Sequence, residues 1–146
     1  TSCAMVTLTT VILFAGYFMR SITGIEMQSP ICINGSTIQP TINGRYEYHS
    51  YDNATNGPIY YNSITNQHLY PYIFANGNKT YSISTKHSQP NFTSYCNIPS
   101  TSNPVNPLDC YYGDSQFASY NGSAFREDIS AVLLNCTGTT FIHFLH

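Results

Sequence analysis

The sequence predicts an all-β protein: a single antiparallel β domain, of the sandwich or meander type, with an extended apolar segment before it. Three observations lead to this prediction. Short runs rich in Tyr and Ile recur between residues 43 and 84, and such side chains suit a half-buried pleated surface. Asn-Gly pairs at 43–44, 56–57 and 76–77 interrupt these runs and indicate hairpin turns in which both central residues take positive φ. Prolines crowd residues 90–107 and disfavour a helix there.

Residues 1–29 form an N-terminal segment, which we separate from a β domain of residues 30–146. Residues 5–19 are the most apolar run of the chain. A signal peptide would have a basic residue before this run and a small-x-small cleavage site after it, and both are missing. A membrane-spanning helix needs ~20 apolar residues, more than the run supplies. A helix in a pilin-like bundle stays open, but the β-branched residues of the run favour a long strand.

An apolar strand at this place has two alternative positions. It lies inside its own domain, or it completes the sheet of a neighbouring copy as a donor strand, and the sequence leaves both open. The donor arrangement joins copies head to tail and therefore builds filaments unless the rotation closes a ring. In that arrangement the contacts between subunits involve Cys3, Val6, Leu8, Val11 and Leu13.

The β domain is predicted to begin with five strands, at residues 31–33, 45–51, 59–62, 68–74 and 80–85. Residues 86–109 are predicted to be an irregular loop, because proline removes backbone donors and breaks ladders. Residues 111–120 form a short strand or turn. Residues 129–136 are predicted to pair with residues 140–145 as a hairpin, although apolar residues between 125 and 133 also have helical spacing.

Six Asn-x-Ser/Thr sequons predict N-linked glycosylation, at Asn34, Asn53, Asn78, Asn91, Asn121 and Asn135. Most of them fall in predicted turns and loops, where the glycosylating enzyme has access. Asn135 is the weakest candidate, because the cysteine inside its sequon is a candidate for a disulfide. Unmodified Asn turns are the alternative interpretation.

Five cysteines point to an oxidising compartment: Cys3, Cys32, Cys96, Cys110 and Cys136. They lack the C-x-x-C spacing of zinc sites and redox pairs, and beside the sequons they indicate disulfides in a secreted, extracellular protein. Cys96–Cys110 is the first predicted pair because it would staple the proline-rich loop. Cys32–Cys136 is the second, tying the start of the domain to its end. Cys3 is then left for an intermolecular bond or a free thiol.

The charge content bears on the partners. Charged residues make up only 8% of the chain, and the formal net charge is −2. Nucleic acid is therefore a poor partner, since a protein that binds it needs a basic surface. Surfaces with few charges tend to associate unless something else keeps them soluble. We expect N-linked glycans and a homo-oligomer or helical filament, and no membrane partner.

The Tyr-rich region resembles a known small module. Its pattern is Asn-Gly-x-Tyr at 43–46, Asn-Gly-x-x-Tyr-Tyr-Asn at 56–62, Leu-Tyr-x-Tyr at 69–72 and Tyr-x-Ile-Ser at 81–84. This pattern is similar to a small β module in surface proteins of protists, algae and large viruses. Those modules usually carry Trp in the third and fourth strands, whereas this chain has no Trp. The resemblance implies an extracellular β fold and transfers no catalytic residue.

Motifs that carry chemistry are few. Gly-Asp-Ser at 113–115 resembles the nucleophile block of GDS-type esterases, but no Asp-x-x-His follows it, so a turn is the better interpretation. His143 and His146 would point to opposite faces of a strand and would not chelate one ion. Residues 52–57 resemble part of a calcium loop but lack its final Glu. We expect no enzyme activity, no catalytic residue, no metal site and no cofactor.

The leading functional hypothesis is a structural subunit of an extracellular, N-glycosylated assembly, a fibril polymerised through residues 1–19. The alternative is a secreted module that binds glycan or a receptor through a Tyr-rich face or the proline-rich loop. Thirteen tyrosines fit both hypotheses. Tyr is an ordinary strand residue with a buried ring and a wet hydroxyl, and sugars also stack on aromatic rings.

Overall fold

The computed structural model describes residues 29–136, which form nine antiparallel strands in one curled sheet. The all-β class predicted from the sequence is confirmed. Two short 3-10 helices, Pro40–Ile42 and Pro107–Asp109, lie between strands. The strands are β1 (Ile31–Asn34), β2 (Gly44–Asp52), β3 (Gly57–Asn62), β4 (Gln67–Ile73), β5 (Lys79–Ser84), β6 (Ser94–Asn97), β7 (Ala118–Tyr120), β8 (Phe125–Glu127) and β9 (Val132–Asn135).

The first eight strands form a meander in which each strand pairs with the next. Across the sheet the order is β8-β7-β6-β5-β4-β3-β2-β1-β9, so β9 pairs with β1 at the opposite end from β8. Residues 128–131 alone connect β8 to β9, and a segment of this length spans at most roughly 18 Å. The sheet therefore curls until its two ends lie close together.

Asp128 fixes this junction between the ends of the sheet. Its side chain is 1% exposed, and its Oδ2 accepts hydrogen bonds from Ser36 Oγ at 2.5 Å and Ser119 Oγ at 2.8 Å. Ser36 follows β1, and Ser119 lies on β7. A buried carboxylate is costly unless it is hydrogen-bonded. The two hydroxyls compensate at Oδ2 and join the two ends, whereas Oδ1 has no hydrogen-bond partner among the described residues.

Tyrosine supplies much of the core on the inner face of the sheet. The largest fully buried side chains of the core cluster are Tyr46, Tyr60, Tyr81, Phe117, Ile33, Ile42, Leu69, Ile83 and Val105. Buried Tyr hydroxyls need partners. Tyr46 Oη donates to the Ile42 carbonyl, and Tyr81 Oη donates to the Pro58 carbonyl, each at 2.8 Å. In this fold tyrosine is a core residue whose hydroxyl group is hydrogen-bonded.

Two disulfides staple the sheet, and they are the two pairs expected from the sequence. Cys32 on β1 bonds to Cys136, which follows β9, with the two Cα atoms 5.2 Å apart. Cys96 on β6 bonds to Cys110 at the end of the proline-rich loop, with a Cα separation of 5.3 Å. Cys3 lies outside the described residues.

The prediction for the Asn-Gly pairs is wrong in its backbone detail. In none of the three pairs do both residues take positive φ. Asn56 has a φ of 54°, but Gly57 already belongs to β3. Asn43 is extended with a φ of −67°, and Gly44, at +135°, opens β2. The turn that contains Asn56 is longer than two residues because hydrogen bonds to the Asp52 and Asn56 side chains stabilise a wider loop.

Two consecutive hairpin turns share one design, Tyr-Asx-x-x-Thr-Asn at residues 51–56 and again at 61–66. In each turn the Asx side chain accepts a backbone N–H two residues further on, at 3.0 Å. The final Asn takes a positive φ, 54° at Asn56 and 55° at Asn66. The Tyr hydroxyl donates to that Asn side chain, at 2.6 Å in the first turn and 3.0 Å in the second.

The structure also revises the second half of the chain. Residues 86–109, predicted as a loop, contain β6 at Ser94–Asn97, because the disulfide-bonded Cys96 and its neighbours pair with β5. Residues 125–133 contribute to two strands and not to a helix. The predicted partner strand at 140–145 and the apolar segment before residue 29 lie outside the described residues.

Candidate binding face

The side of the sheet that faces away from the core carries the candidate site. On β5 the Tyr81 side chain points into the core, so Thr80 and Ser82 lie on the opposite side. The strand register continues this outer side across the sheet, with Tyr72 opposite Thr80 and Tyr95 opposite Ser82. Neighbouring strands therefore place aromatic side chains next to one another on the outside.

Seven aromatic rings form one cluster there, which we call the outer aromatic face. Its members are Tyr72, Phe74, Phe92, Tyr95, Tyr112, Tyr120 and Phe125. The rings of Phe92, Tyr95 and Phe125 form its centre, with centroids 5.0 to 5.8 Å apart. Rings at such distances attract one another, and every member stays partly exposed. The cluster is thus a supported aromatic surface.

The loop of residues 85–93, between β5 and β6, folds over part of this outer side. Tyr70 Oη donates to the Gln89 carbonyl at 2.7 Å, and the Thr93 amide donates to the Ile83 carbonyl at 3.0 Å. Tyr70 is fully buried although its strand position faces outward. The loop therefore has a small core of its own and holds Phe92 within the outer aromatic face.

A groove of about 490 Å³ opens beside this loop. This volume is in the range of small-molecule sites, which combine apolar walls with a few polar groups. The lining residues are Gln67, Ser84, Thr85, Pro90, Asn91, Phe92, Thr93, Tyr120 and Phe125. Three of them belong to the outer aromatic face, so the groove and the face form one continuous surface.

Gln67 is the unusual polar group of the groove. Its side chain is 7% exposed, and its Oε1 has no hydrogen-bond partner among the described residues. A buried amide oxygen without a donor is destabilising by about 1–3 kcal/mol. Gln67 lies two residues before the core residue Leu69 on β4, so its side chain points to the core side of the strand, and its oxygen is closed to a ligand in this conformation.

The groove is also uncharged. None of its lining side chains is acidic or basic, and its polar groups are the hydroxyls of Ser84, Thr85, Thr93 and Tyr120 and the amides of Gln67 and Asn91. Hydroxyls and amides both donate and accept hydrogen bonds. This chemistry fits a neutral ligand with many hydroxyl groups better than a phosphate or a carboxylate.

The half-buried Tyr95 and the buried Tyr70, both near the groove, stay protonated at physiological pH. Burial, together with the neighbouring Tyr112, raises the pKa of Tyr95 to about 12. Burial likewise raises the pKa of Tyr70 to about 12. At physiological pH these hydroxyls are hydrogen-bond donors, and they do not supply a base or a nucleophile.

The structure places five of the six sequon asparagines on exposed positions: Asn34, Asn53, Asn78, Asn91 and Asn121. Asn135 is half-buried within β9, beside the disulfide-bonded Cys136. Two sequons border the candidate site, because Asn91 lines the groove and Asn121 directly follows Tyr120. A glycan on either would lie close to the aromatic rings.

The remaining predicted site residues lie elsewhere. Val6, Leu8, Val11 and Leu13 belong, like Cys3, to the N-terminal segment outside the described residues. Gly113 and Asp114 form the tip of a tight turn that backbone hydrogen bonds close between Tyr112 and Ser115. Residues 52–57 form the first of the two matching hairpin turns.

Phe92 and Phe125 were missed by the sequence analysis, although they stand at the centre of the candidate site. Phe92 lies in a proline-rich stretch that carries no strand pattern, and Phe125 has both helical and strand spacing around it. The sequence feature that came closest to indicating this aromatic surface was the alternation of Tyr70 and Tyr72 on one strand. Only the register between strands brings the rings together.

No group of three or more His, Cys, Asp or Glu side chains in residues 29–136 is arranged to hold a metal ion. The same part of the chain has no helix with the length and apolar character that crossing a bilayer requires. Comparison of the whole chain with protein-family models, curated proteins and solved structures finds no match.

Proposed function

We propose that this chain is an extracellular, N-glycosylated β module that binds neutral carbohydrate through the groove and the outer aromatic face. The two disulfides of the structure fit an oxidising, extracellular setting. The exposure of five sequon asparagines supports glycosylation, since the modification needs an accessible surface loop. The resemblance of residues 43–84 to modules of surface proteins agrees with this location.

The observation that carries the proposal is the uncharged groove, which combines the rings of Phe92 and Phe125 with hydroxyl and amide side chains. A sugar ring has an apolar face of C–H groups and a rim of hydroxyls. The rings of Phe92 and Phe125 offer flat partners for the apolar face. The hydroxyls of the exposed residues Thr85 and Tyr120 offer hydrogen bonds to the sugar hydroxyls. The groove thus combines both contacts that a pyranose requires within one small site.

The test is binding of neutral oligosaccharides, first on a glycan array and then by calorimetry with the best glycan. Phe92→Ala and Phe125→Ala should each weaken binding about 10-fold, because loss of a stacking ring is worth about 1.4 kcal/mol. Thr85→Ala should weaken it by a smaller factor, because one hydrogen bond to a sugar hydroxyl is lost. Tyr51→Ala is the matched control, since Tyr51 is an exposed tyrosine at the β2–β3 turn, outside the outer aromatic face. Equal affinity in all four variants would refute the proposal.

The glycan on Asn91 supplies a second arm of the experiment. If it rests in the groove, the Asn91→Gln variant should bind added oligosaccharide more tightly than the glycosylated protein. Unchanged affinity in Asn91→Gln, with loss in Phe125→Ala, would assign the groove to an external glycan. If neither the glycosylated protein nor the Asn91→Gln variant binds oligosaccharide, the carbohydrate proposal is wrong.

A second candidate function is the structural subunit, polymerised through residues 1–19. Its support is the low charge of the chain and the apolar run at 5–19, together with a partly exposed aromatic surface that could pack between copies. The two disulfides use four of the five cysteines, so Cys3 is the candidate for a covalent link between subunits. The expected partners are further copies of this chain in an oligomer or helical filament.

Electron microscopy of native material tests this candidate. Deletion of residues 1–19 should abolish polymers if the segment is a donor strand, and Cys3→Ser should keep polymers that dissociate more readily. A truncated domain that stays folded and assembles as before would exclude the donor strand. Monomers that bind glycan would favour the carbohydrate-binding module.

A further inference from the structure

Three histidines lie together on the outer side of the sheet, beside the 85–93 loop. His68 on β4 pairs with Ser84, which lies on the outer side of β5. His49 approaches it from β2, and His87 approaches it from the loop. The ring centroids are 5.6 Å (His49–His68), 5.8 Å (His49–His87) and 5.2 Å (His68–His87) apart. We call this group the histidine cluster.

The histidine cluster is connected to the groove through the backbone of the loop. His68 Nδ1 lies 3.1 Å from the Thr85 carbonyl oxygen, which only accepts hydrogen bonds, so Nδ1 carries the proton of the neutral ring. Thr85 lines the groove together with Pro90, Asn91 and Phe92 of the same loop. The position of the loop on the histidine cluster therefore determines one wall of the groove.

Acid changes the charge of the cluster, and the closed loop resists that change at His68. Burial lowers the pKa of His68, whereas the hydrogen bond to the Thr85 carbonyl raises it. The neighbouring His87 and His49 rings lower this pKa further, because like charges repel. A free histidine has a pKa of ~6.5, so the contribution of His68 to the closed loop is fully present above that pH and is lost as the pH falls.

The other titratable groups around the cluster do not offset repulsion between protonated rings. They are Arg45 and Glu47 on β2, Tyr61 on β3, Tyr70 on β4 and Lys86 in the loop. Glu47, the one carboxylate of this set, is already paired with Arg45 at 2.6 Å. Tyrosine is uncharged at neutral and acidic pH, and Lys86 adds a positive charge next to His87.

We propose that the histidine cluster is a pH switch of the groove, an inference that rests on the carbohydrate-binding function proposed above. At neutral pH the uncharged rings pack against one another and hold the 85–93 loop against β2 and β4. At mildly acidic pH the protonated rings repel one another, and the loop moves away from the sheet. The groove then loses one wall and releases its oligosaccharide.

Amide hydrogen exchange of the full-length glycosylated protein tests the switch without a ligand. It is measured at about pH 7.5 and about pH 5.5, on either side of the pKa of a free histidine, and corrected for the intrinsic exchange rate. The probe is the Thr93 amide, which donates to the Ile83 carbonyl at 3.0 Å in the closed loop. One linked proton changes the opening equilibrium up to about 10-fold per pH unit, so we expect the protection of Thr93 to fall about 10-fold in acid.

The His87→Gln variant should lose only about 2-fold of this protection, because a neutral side chain on the loop does not repel the two protonated rings on the sheet. His87 is exposed in a loop, so this variant keeps the fold. Salt screens exposed charges, so the response of the parent protein should shrink at high ionic strength.

The matched control is His143→Gln with His146→Gln, which removes the other two histidines and should respond to pH as the parent protein does. Equal protection of Thr93 at both pH values, or an equal loss in the parent protein and His87→Gln, would overturn the switch.

Oligosaccharide affinity at the same two pH values tests the connection to the groove. It should fall about 10-fold in acid in the parent protein and much less in His87→Gln. An affinity that does not depend on pH while the loop opens would overturn the proposal. Absence of oligosaccharide binding at either pH would refute the carbohydrate-binding function instead, and the exchange of the Thr93 amide would still decide whether the histidine cluster releases the loop.

Discussion

At the scale of single residues, the fold depends on polar groups placed at buried positions. Asp128 shows this most directly, because one carboxylate oxygen receives hydroxyls from both ends of the sheet. Its removal leaves the buried Ser36 hydroxyl without its acceptor, while Ser119 keeps its contact with Ser94 Oγ at 2.8 Å.

We predict that Asp128→Ala lowers the free energy of unfolding by about 3 kcal/mol, because it removes two hydrogen bonds to a charged acceptor. Asp128→Asn should lose less, since the amide oxygen still accepts one hydroxyl. Asp114→Ala is the control, at an exposed turn. Urea denaturation measures all three, and a change below about 0.5 kcal/mol in Asp128→Ala would contradict the assignment.

Alkaline pH should unfold the protein through its buried tyrosines. Burial raises the pKa of Tyr60, Tyr70 and Tyr95 to about 12, above a value of about 10 in the unfolded chain. The unfolded state therefore loses these protons more readily. Their stabilising effect is fully present below pH 10 and is lost as the pH rises towards 12.

Tyrosinate absorbance during a pH titration measures this behaviour. We expect a step in tyrosinate absorbance above pH 11 that coincides with the loss of β-sheet circular dichroism. A single step near pH 10 in a protein that stays folded would contradict the burial of these rings.

The sequence predicts the residue types of the candidate site but not that these residues lie close together in the fold. The Tyr-rich pattern predicts an aromatic surface, whereas Phe92 and Phe125 enter it from a loop and a late strand. Gln67 stands beside an ordinary Asn turn in the sequence. Its buried, unpaired oxygen depends on tertiary packing, which no local pattern encodes.

At the scale of elements, the two matching turns explain why β2, β3 and β4 follow one another so regularly. Each turn uses one asparagine in the left-handed region, which side chains other than Asn and Gly rarely occupy. The same asparagine accepts the hydroxyl of the tyrosine that opens the turn.

We predict that Asn66→Ala destabilises the protein by about 2 kcal/mol, through strain at φ 55° and loss of the Tyr61 hydrogen bond. Asn66→Gly should cost about half as much, because glycine tolerates this φ and loses only the hydrogen bond. Ile64→Ala, in the same turn and 93% exposed, is the control. Thermal unfolding distinguishes them, and equal effects of Ala and Gly would exclude the backbone explanation.

All five early strands were predicted within two residues at each end, because the alternation of Tyr and Ile and the Asn-containing turns agree with one another. Strand β6 was missed because proline-rich flanks hide a four-residue strand. Its position follows from pairing with β5 and from the Cys96–Cys110 disulfide, which are contacts between distant residues.

At the scale of the whole molecule, the two disulfides close loops of very different length. Cys32–Cys136 closes a loop with a sequence separation of 104, and Cys96–Cys110 closes one with a separation of 14. A longer loop has more freedom in the unfolded chain, so its closure stabilises more.

We predict that Cys32→Ala with Cys136→Ala costs about 4.7 kcal/mol, and Cys96→Ala with Cys110→Ala about 3 kcal/mol, from loop length alone. Guanidinium denaturation of both double variants measures the difference. A larger loss from the shorter loop would show that the proline-rich segment depends on its disulfide for native packing.

The curled arrangement itself could not be predicted from the sequence. Nothing local indicates that β9 leaves β8 and pairs with β1 at the far end. The pairing of Cys32 with Cys136 was the one long-range indication, and it agrees with the structure because it links the same two elements.

The adjacency of β1 and β9 has a mechanical consequence. A stretched chain between residues 32 and 136 would extend roughly 350 Å, yet their Cα atoms lie 5.2 Å apart across a covalent bridge. Tension applied through the flanking segments would pass along that bridge and bypass the sheet. Under load the oxidised module is therefore a nearly inextensible link. Reduction of Cys32–Cys136 would release roughly 300 Å of chain, because Cys96–Cys110 still closes a loop with a sequence separation of 14.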